Sequence, residues 1–213
     1  MTTLVIIAKE CLAGRVKTRL HPDVSYEQAA ELAAASLADT LAVGAELAAE
    51  RRILAFDGIF APPDSERYEL IPQAAGALDA RLAAVFDAAE GPTLLVGMDT
   101  PQLRAADLAT FFPWPDETDF AFGPAHDGGF WCLGMREPRG DLIRGVPMSR
   151  DDTGTRQLAR LTATGGAIRM LPSLTDVDTI VEARAVAALA PETRFAQTLE
   201  RTLRVRLLIG AVV

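Results

Sequence analysis

The amino-acid sequence predicts an α/β sandwich with a mostly parallel central sheet. Short apolar runs bounded by turn residues alternate along the chain with longer segments of helical periodicity, which is typical of a sheet covered by helices. The first run, residues 4–8, is apolar on both faces and rich in β-branched residues, as expected of a buried parallel strand. We expect one domain over residues 1–213, because no linker-like segment interrupts this pattern.

In the N-terminal part, the strongest helix signal is the pair Ser25 and Gln28. A serine followed three residues later by a glutamine forms a capping box, so a helix is predicted to begin here and to run to about residue 49. A second helical face appears in 78–89, where apolar residues recur at helical spacing. The predicted order is strand 4–8, the capped helix, strand 52–56, strand 68–71 and helix 78–89.

In the C-terminal part, glycine and proline mark most of the boundaries. Gly91 and Pro92 end the second helix, and a pair of glycines at 165–166 ends a later one. The predicted order is strand 94–96, helix 105–112, strand 120–122, strand 130–133, helix 155–164, strand 168–171, helix 180–189 and helix 192–203. The apolar tail, residues 207–213, is predicted to be a strand or a docking segment.

Composition limits the classes of partner. The formal net charge of −8 argues against a nucleic-acid partner, since phosphate contacts need clustered Lys and Arg, but one local basic loop can still bind a mononucleotide. Cys11 and Cys132 are far apart and lack metal-ligand spacing, so we expect reduced thiols in a cytoplasmic protein. The sequence shows no signal peptide, and no apolar run approaches the roughly 20 residues of a membrane span.

Asp99 is the most informative residue. It follows the apolar run 94–96 and Gly97, and Pro101 comes two residues later. Ligands of open α/β sheets bind outside the carboxyl ends of the strands, so this carboxylate is expected at a sheet edge where chemistry occurs. A helix N-cap or a turn carboxylate is the alternative interpretation, and the motif alone leaves it open.

The loop after the first strand concentrates positive charge in an acidic chain. Lys9, Arg15, Lys17 and Arg19 lie in it, and Gly14 would let backbone N–H groups approach an anion. Nucleotide-binding α/β folds place phosphate contacts at this position, and arginine can bind phosphate through two parallel hydrogen bonds. The loop lacks a Walker signature, and a solvated basic loop is the alternative interpretation.

A glycine-rich turn separates two later strands. Asp127 lies between His126 and the pair Gly128–Gly129, which permits positive φ and close approach of a ligand to the backbone. The alternative is an ordinary Asp-Gly hairpin turn. Phe130 and Trp131 are expected in the core or in a pocket wall.

The last motif is a pair of alternating carboxylates, Asp176 and Asp178. In an extended chain both point to one face, where they repel each other unless a cation or a donor lies between them. Mg²⁺ commonly binds one or two carboxylates together with substrate phosphates. Alternatively, Asp178 or Thr179 caps the helix that begins near residue 180.

Together and in this order, the motifs resemble the DUF2064 family, which belongs to the nucleotide-diphospho-sugar transferase superfamily. The resemblance rests on Ala8–Lys9 with residues 14–20, on Gly97–Leu103, on Gly123–Gly129 and on Thr175–Thr179. Relatives in that superfamily include the molybdenum-cofactor guanylyltransferase and the 2-phospho-lactate guanylyltransferase. The resemblance implies a three-layer, Rossmann-like α/β/α sandwich of the GT-A type with a mostly parallel, mixed sheet.

The resemblance also implies site roles. It assigns phosphate and substrate binding to the basic loop, metal binding to the carboxylates, acceptor binding to the glycine-rich turn and base contacts to the region after the third strand. The residues that it concerns are Arg15, Lys17 and Arg19 in the loop, Asp99 and Asp178 as metal ligands, Asp127, Gly128 and Gly129 in the turn, and Gln73 and Gly76 for the base. From the motifs themselves we add Lys9 and Gly14 to the predicted substrate-binding residues and Asp176 to the predicted metal ligands. Lys17, Asp99 and Asp127 are the expected catalytic residues.

By this resemblance the protein is expected to be a transferase that uses Mg²⁺ or Mn²⁺. It would act on a nucleotide or nucleotide sugar and a small-molecule acceptor, by glycosyl transfer or by nucleotidyl transfer. The alternative is a non-catalytic nucleotide-binding module of the same fold. The base, the sugar, the acceptor and the oligomeric state, a homodimer included, stay open.

Overall fold

The computed structural model describes the backbone of residues 2–210 and the side chains of residues 2–204. Within this part of the chain, seven strands form one sheet. The strands are β1 (Thr3–Lys9), β2 (Arg51–Asp57), β3 (Glu69–Pro72), β4 (Thr93–Gly97), β5 (Phe120–Pro124), β6 (Phe130–Met135) and β7 (Ile168–Met170).

Six α-helices lie in the same part of the chain. They are α1 (Tyr26–Glu46), α2 (Leu78–Asp87), α3 (Ala105–Leu108), α4 (Thr153–Thr162), α5 (Ile180–Leu189) and α6 (Arg194–Gly210). The predicted capping box is present, because the Ser25 side chain accepts a hydrogen bond from the backbone N–H of Gln28 and the Gln28 side chain accepts one from the backbone N–H of Ser25.

The sheet has the order β3-β2-β1-β4-β6-β5-β7. All neighbouring strands run parallel except β6, which is antiparallel to both β4 and β5. The predicted α/β fold with a mostly parallel, mixed sheet is therefore confirmed. The antiparallel direction of β6 follows from the short turn after β5, since two adjacent strands joined by a tight turn must be antiparallel.

Alternating side chains of β1 separate the two helical layers. Ile6 packs with Leu37 and Leu41 of α1 in one apolar cluster, whereas Val5 packs with Leu82 of α2 in another. Since successive side chains of a strand point to opposite faces, α1 and α2 cover opposite faces of the sheet. This arrangement is the three-layer sandwich that the family resemblance implies.

The predicted elements differ from the observed ones mainly at their ends. The helix predicted over 105–112 is shorter, because α3 gives way to a 3-10 turn at Ala109–Phe111. The last helix, predicted to end at 203, continues to Gly210. The strand alternative for the tail 207–213 is therefore wrong for residues 207–210, and residues 211–213 lie outside the described part of the chain.

None of the helices in the described part of the chain is long and apolar enough to cross a membrane.

The register of β1 and β4 brings two predicted motifs to the same sheet edge. Ile7 pairs with Gly97, the last residue of β4, and β1 continues for two more residues to Lys9. Lys9 and Asp99 each lie two residues beyond this pair. The carboxyl ends of adjacent parallel strands thus place the basic loop beside the predicted carboxylate, as the rule for open α/β sheets requires.

Candidate functional site

A cavity of about 720 Å³ opens at this edge of the sheet. Its wall combines cationic side chains from the loop after β1 with carboxylates from three other segments of the chain. The predicted site residues that line it are Lys9, Arg15, Lys17, Arg19, Gln73, Asp99, Asp127, Gly129, Asp176 and Asp178. Side chains that are far apart in sequence therefore meet in one place.

Lys17 connects the basic loop to the carboxylates. Its Nζ atom lies 2.7 Å from Asp99 Oδ1 and 3.2 Å from Asp178 Oδ1, and its side chain is only 8% exposed. Burial by itself lowers the pKa of this ammonium, but the charges of Asp99 and Asp178 raise the pKa by more, so that its net value lies above the ordinary one. Lys17 therefore stays positively charged at neutral pH.

The backbone of Lys17 is also unusual, because its φ is 47°. This left-handed conformation is uncommon for a residue with a side chain, and it costs about 1–2 kcal/mol. The strain is held at a residue whose side chain bridges two carboxylates, which is typical of functional sites. Arg19 lies at the rim, where its Nη1 atom is 3.1 Å from Asp178 Oδ2 and its side chain is 76% exposed.

The second carboxylate pair reaches Asp99 because the segment before α5 pairs with the chain that follows β4. The backbone N–H of Val177 donates to the carbonyl of Asp99 at 3.0 Å, and the Val177 side chain is buried. Asp176 and Asp178, on either side of Val177, line the cavity. The alternation predicted from the sequence thus places both carboxylates on the cavity side.

The alternative in which Asp178 caps the helix is contradicted, and the cap belongs to Thr179. The Thr179 side chain accepts a hydrogen bond from the backbone N–H of Glu182, and the Glu182 side chain accepts from the backbone N–H of Thr179. The Asp178 carboxylate is left to Lys17 and Arg19. Neighbouring residues therefore divide the capping and the charged contacts.

Asp176 differs from the other two carboxylates in its surroundings. Its Oδ1 atom is buried without a hydrogen-bond partner among the described residues. Burial, together with the negative charges of Asp99 and Asp127, raises the pKa of Asp176 to about 7. A buried carboxylate oxygen without a donor is costly, and a cation is one partner that would relieve the cost.

A metal ion is not the only cation that suits this cluster. In the described part of the chain, no group of three His, Cys, Asp or Glu side chains is already arranged around a common metal position. The Lys17 ammonium lies between Asp99 and Asp178 instead. The donor chemistry nevertheless fits Mg²⁺ or Mn²⁺, because both prefer oxygen ligands and Asp176 Oδ1 is free to supply one.

The glycine-rich turn joins β5 to β6, so the hairpin alternative is correct for its backbone. Asp127 Oδ1 accepts a hydrogen bond of 2.9 Å from the backbone N–H of Gly129, and both residues line the cavity. Gly128 has φ +88°, and a Cβ atom there would lie 1.9 Å from the backbone oxygen of Asp151. A glycine at this position therefore allows the segment before α4 to pack against the turn.

Gln73 lines the cavity, but its amide group is used by the protein. Its Nε2 atom donates to the carbonyls of Ala8 at 2.7 Å and of Ala55 at 3.1 Å, and its Oε1 atom accepts from Arg81 Nη1 at 3.0 Å. Arg81, which also lines the cavity, is a residue that none of the sequence motifs singles out. One charged residue on a helix carries no local signal of such a role.

The remaining predicted residues, Gly14 and Gly76, are exposed and, like Gly128, are not among the described residues that line the cavity. Both have positive φ, +75° and +117° respectively, so the backbone at each position favours glycine. Gly14 shapes the basic loop, and Gly76 immediately precedes Ala77, the N-cap of α2.

Residues 28–150 match the family model DUF2064, described as an uncharacterized protein conserved in bacteria. This match spans more than half of the chain. The chain belongs to the DUF2064 family. The comparison of this DUF2064 protein with curated proteins found no significant match.

Solved structures share its fold. A protein from Desulfovibrio desulfuricans G20, provisionally named a nucleotide-diphospho-sugar transferase, has a TM-score of 0.74 at 23% identity, over 92% of this chain and 97% of that one. The 2-C-methyl-D-erythritol 4-phosphate cytidylyltransferase of Thermus thermophilus has a TM-score of 0.54 at 16% identity, over 90% and 100%. Rv0371c of Mycobacterium tuberculosis H37Rv, solved in complex with manganese, has a TM-score of 0.50 at 24% identity, over 87% and 97%. These likenesses show the GT-A type of fold.

The DUF2064 match covers only part of the cavity. It includes Gln73, Arg81, Asp99 and Asp127, but it begins after the basic loop and ends before the pair Asp176 and Asp178.

Proposed function

We propose that this DUF2064 protein is a divalent-metal-dependent transferase that acts on a nucleotide substrate. The observation that carries the proposal is the meeting of Asp99, Asp176 and Asp178 with the cations of the loop after β1 in one cavity. Carboxylates beside lysine and arginine suit a ligand that consists of a polyphosphate and its metal ion. The names of the similar structures, a nucleotide-diphospho-sugar transferase and a cytidylyltransferase, support the same reaction class.

In this proposal Asp99, Asp176 and Asp178 hold a Mg²⁺ or Mn²⁺ ion. The buried Asp176 Oδ1 atom, which has no hydrogen-bond partner among the described residues, supports the fit, and so does the manganese complex of Rv0371c. When bound, such an ion neutralises negative charge on the phosphate groups of the substrate and of the leaving group.

The chain's own cations bind the phosphate groups. Lys17 is a buried point charge, and its Nζ atom can leave one carboxylate to contact a phosphate oxygen. Arg15 and Arg19 are exposed at the rim, where their guanidinium groups can each make two parallel hydrogen bonds to a phosphate. Fixed cations of this kind would stabilise the negative charge that develops on the phosphate groups during transfer.

The acceptor would lie against the turn between β5 and β6. Asp127 is held by the backbone N–H of Gly129, so one of its oxygens is fixed while the carboxylate still lines the cavity. It can orient an acceptor hydroxyl and accept a hydrogen bond from it. Phe130 and Trp131 form part of the adjacent wall.

The two reactions of this class give different products. Glycosyl transfer releases a nucleoside diphosphate from a nucleotide sugar, whereas nucleotidyl transfer releases pyrophosphate from a nucleoside triphosphate. We propose incubating the protein with Mg²⁺ or Mn²⁺, a panel of nucleotide sugars and triphosphates and a panel of sugar and sugar-phosphate acceptors. Mass spectrometry then identifies which product forms.

Calorimetry with the same nucleotides separates an enzyme from a binding module. Metal-dependent binding with turnover is the expected result. Binding without turnover across the acceptor panel would favour the non-catalytic module, and no binding of any nucleotide would refute both. Asp99→Asn should abolish metal-dependent nucleotide binding, whereas Asp141→Asn, at an exposed ion pair with Arg139, should leave it unchanged.

A further inference from the structure

The hydrogen bonds of Gln73 leave it without a free donor for a ligand. A glutamine amide has two N–H donors, and those of Gln73 are directed at the carbonyls of Ala8 in β1 and Ala55 in β2. Its Oε1 atom accepts from Arg81. Gln73 therefore ties the end of β3 to the two neighbouring strands and fixes the position of the arginine.

Arg81 has the free donor that Gln73 lacks. Its Nη1 atom lies 3.0 Å from Gln73 Oε1 and 3.4 Å from Asp57 Oδ2, which holds one end of the guanidinium group in place. Its Nε atom is buried without a hydrogen-bond partner among the described residues, whereas its Nη2 atom, which is not among the buried atoms, has none either. The side chain is 28% exposed and lines the cavity, so Nη2 is the N–H group that a ligand atom can reach, and the unpaired Nε beside it shows that the protein leaves the hydrogen bonding of this guanidinium group incomplete.

Apolar side chains line the cavity together with Arg81, whose own hydrogen-bond partners are Gln73 and Asp57. Leu78 and Leu82, on the same helix, line the cavity with Arg81, and so do Ile7 of β1 and Leu95 of β4. The nearby Asp57 carboxylate offsets part of the charge of the guanidinium group. An apolar wall with one N–H donor suits a flat, uncharged heterocycle better than a phosphate, for which the chain provides the loop after β1.

We infer that Arg81 donates a hydrogen bond to an acceptor atom of the nucleobase, a carbonyl oxygen or a ring nitrogen, and that Gln73 positions it for this contact. The inference rests on the proposed function, because it takes the ligand of the cavity to be a nucleotide. Arg81 is then a residue that determines which base is bound, while the loop after β1 binds phosphate irrespective of the base.

Calorimetry with ATP, GTP, CTP, UTP and inorganic triphosphate, each with Mg²⁺, tests this division. In Arg81→Met the affinity for the best-bound nucleotide should fall about tenfold or more, as expected for a lost charge-assisted hydrogen bond, and the preference among bases should narrow. The affinity for inorganic triphosphate should stay within about twofold of the wild-type value. Arg81→Lys should behave like Arg81→Met, because it keeps the charge but loses the planar guanidinium group whose Nη2 atom is directed to the ligand.

A matched control is Arg51→Met. Arg51 also pairs with a carboxylate, that of Glu69, but it lies at the start of β2, at the opposite edge of the sheet from the cavity. It should leave the affinity for every ligand in the panel unchanged. A change in this variant as large as that in Arg81→Met would attribute the effect to general loss of an ion pair and would overturn the inference.

The positioning role of Gln73 is tested by a double-mutant cycle. Gln73→Ala should lower the affinity for the preferred nucleotide in the wild-type background. It should have little further effect on this affinity in the Arg81→Met background, because Gln73 acts through the arginine. Equal effects in both backgrounds would show that Gln73 acts on its own and would overturn this part of the inference.

The outcomes also separate this inference from the proposed function. If Arg81→Met weakens inorganic triphosphate as much as the nucleotides, Arg81 is a phosphate contact, and the inference is wrong while the nucleotide site stands. The inference is also wrong, and the nucleotide site still stands, if Arg81→Met leaves the preference among bases unchanged. If the wild-type protein binds neither nucleotides nor triphosphate, the proposed function is wrong and the inference is wrong with it.

Discussion

Lys17 Nζ lies 2.7 Å from Asp99 Oδ1, and the same ammonium lies 3.2 Å from Asp178 Oδ1. The loop after β1 thereby supplies a buried positive charge to two carboxylates from distant parts of the chain. A divalent cation that binds these carboxylates competes with Lys17 for the same oxygen atoms. Metal binding and movement of Lys17 toward a phosphate are therefore expected to be coupled.

Lys17→Met should make the carboxylate cluster depend on an added metal ion. The substitution removes the ammonium between Asp99 and Asp178, and in EDTA no metal ion can replace it. We expect the free energy of unfolding to fall by about 1–3 kcal/mol. This loss is smaller than for a fully buried pair because both carboxylates are partly exposed. In the absence of nucleotide, Mn²⁺ should bind to Lys17→Met more tightly than to the wild-type protein. Because it binds the folded state, it should also restore much of the lost stability. Thermal unfolding with and without Mn²⁺ measures both effects.

Lys9→Met is the control for this experiment. Lys9 lines the same cavity but is exposed at the end of β1, so its loss should change neither the stability nor the affinity for Mn²⁺ by much. A Lys17→Met protein that binds Mn²⁺ no better than the wild type would show that the ammonium does not compete with the metal.

Asp176→Asn should increase stability while weakening metal binding. The buried Oδ1 atom of Asp176 has no hydrogen-bond partner among the described residues, and the neighbouring Asp99 and Asp127 charges repel it. An amide removes the charge and provides N–H donors, so we expect a gain of about 0.5–1 kcal/mol in the free energy of unfolding in EDTA. Mn²⁺ affinity in the presence of nucleotide should fall. Lower stability combined with unchanged Mn²⁺ affinity would show that Asp176 has a structural role only.

Gly128→Ala should be strongly destabilising. A Cβ atom at this position meets the backbone oxygen of Asp151 at 1.9 Å, and φ is +88°, so the backbone must move and must also hold an alanine in the left-handed region. We expect a loss of about 2–5 kcal/mol by chemical denaturation.

Gly165→Ala is the matched control, since its φ is +79° and no described atom lies within 4 Å of the Cβ position. Its free energy of unfolding should fall only by the cost of holding an alanine in the left-handed conformation, about 1–2 kcal/mol. Equal losses in the two variants would mean that the turn moves away from the Asp151 segment without resistance.

Thr179→Ala tests the division of roles between adjacent residues. Thr179 caps α5 together with Glu182, so its loss should cost about 1 kcal/mol of stability. The Asp178 carboxylate contacts Lys17 and Arg19 and takes no part in this cap, so Mn²⁺ and nucleotide affinities should not change. A large loss of Mn²⁺ affinity in a folded Thr179→Ala protein would show that the cap and the cluster are one unit.

Local patterns in the sequence were sufficient to predict most of the strands and helices. The apolar run 4–8, the capping box of Ser25 and Gln28 and the carboxylate after β4 each depend on residues a few positions apart, and each lies where it was predicted. The strand alternative for the tail is wrong for residues 207–210, because a short apolar run has no period that distinguishes a strand from the end of a helix.

The contacts inside the cavity needed the tertiary structure. Lys17 and Asp178 are 161 positions apart, and Gln73 meets Ala8 across 65 positions. The family resemblance assigns Gln73 to a base contact, but in the structure its amide group joins strands and Arg81 keeps an unpaired N–H donor. No pattern of neighbouring residues predicts such pairs.

The sequence by itself determined the residue types and the order of the motifs: cations after β1, a carboxylate after β4, a glycine-rich turn and a final pair of carboxylates. Strand order, register and the docking of the segment before α5 decided which of these side chains touch. The physical reason is that secondary structure follows from local propensity and periodicity, whereas the partner of a buried charge depends on which distant segments pack together to exclude water.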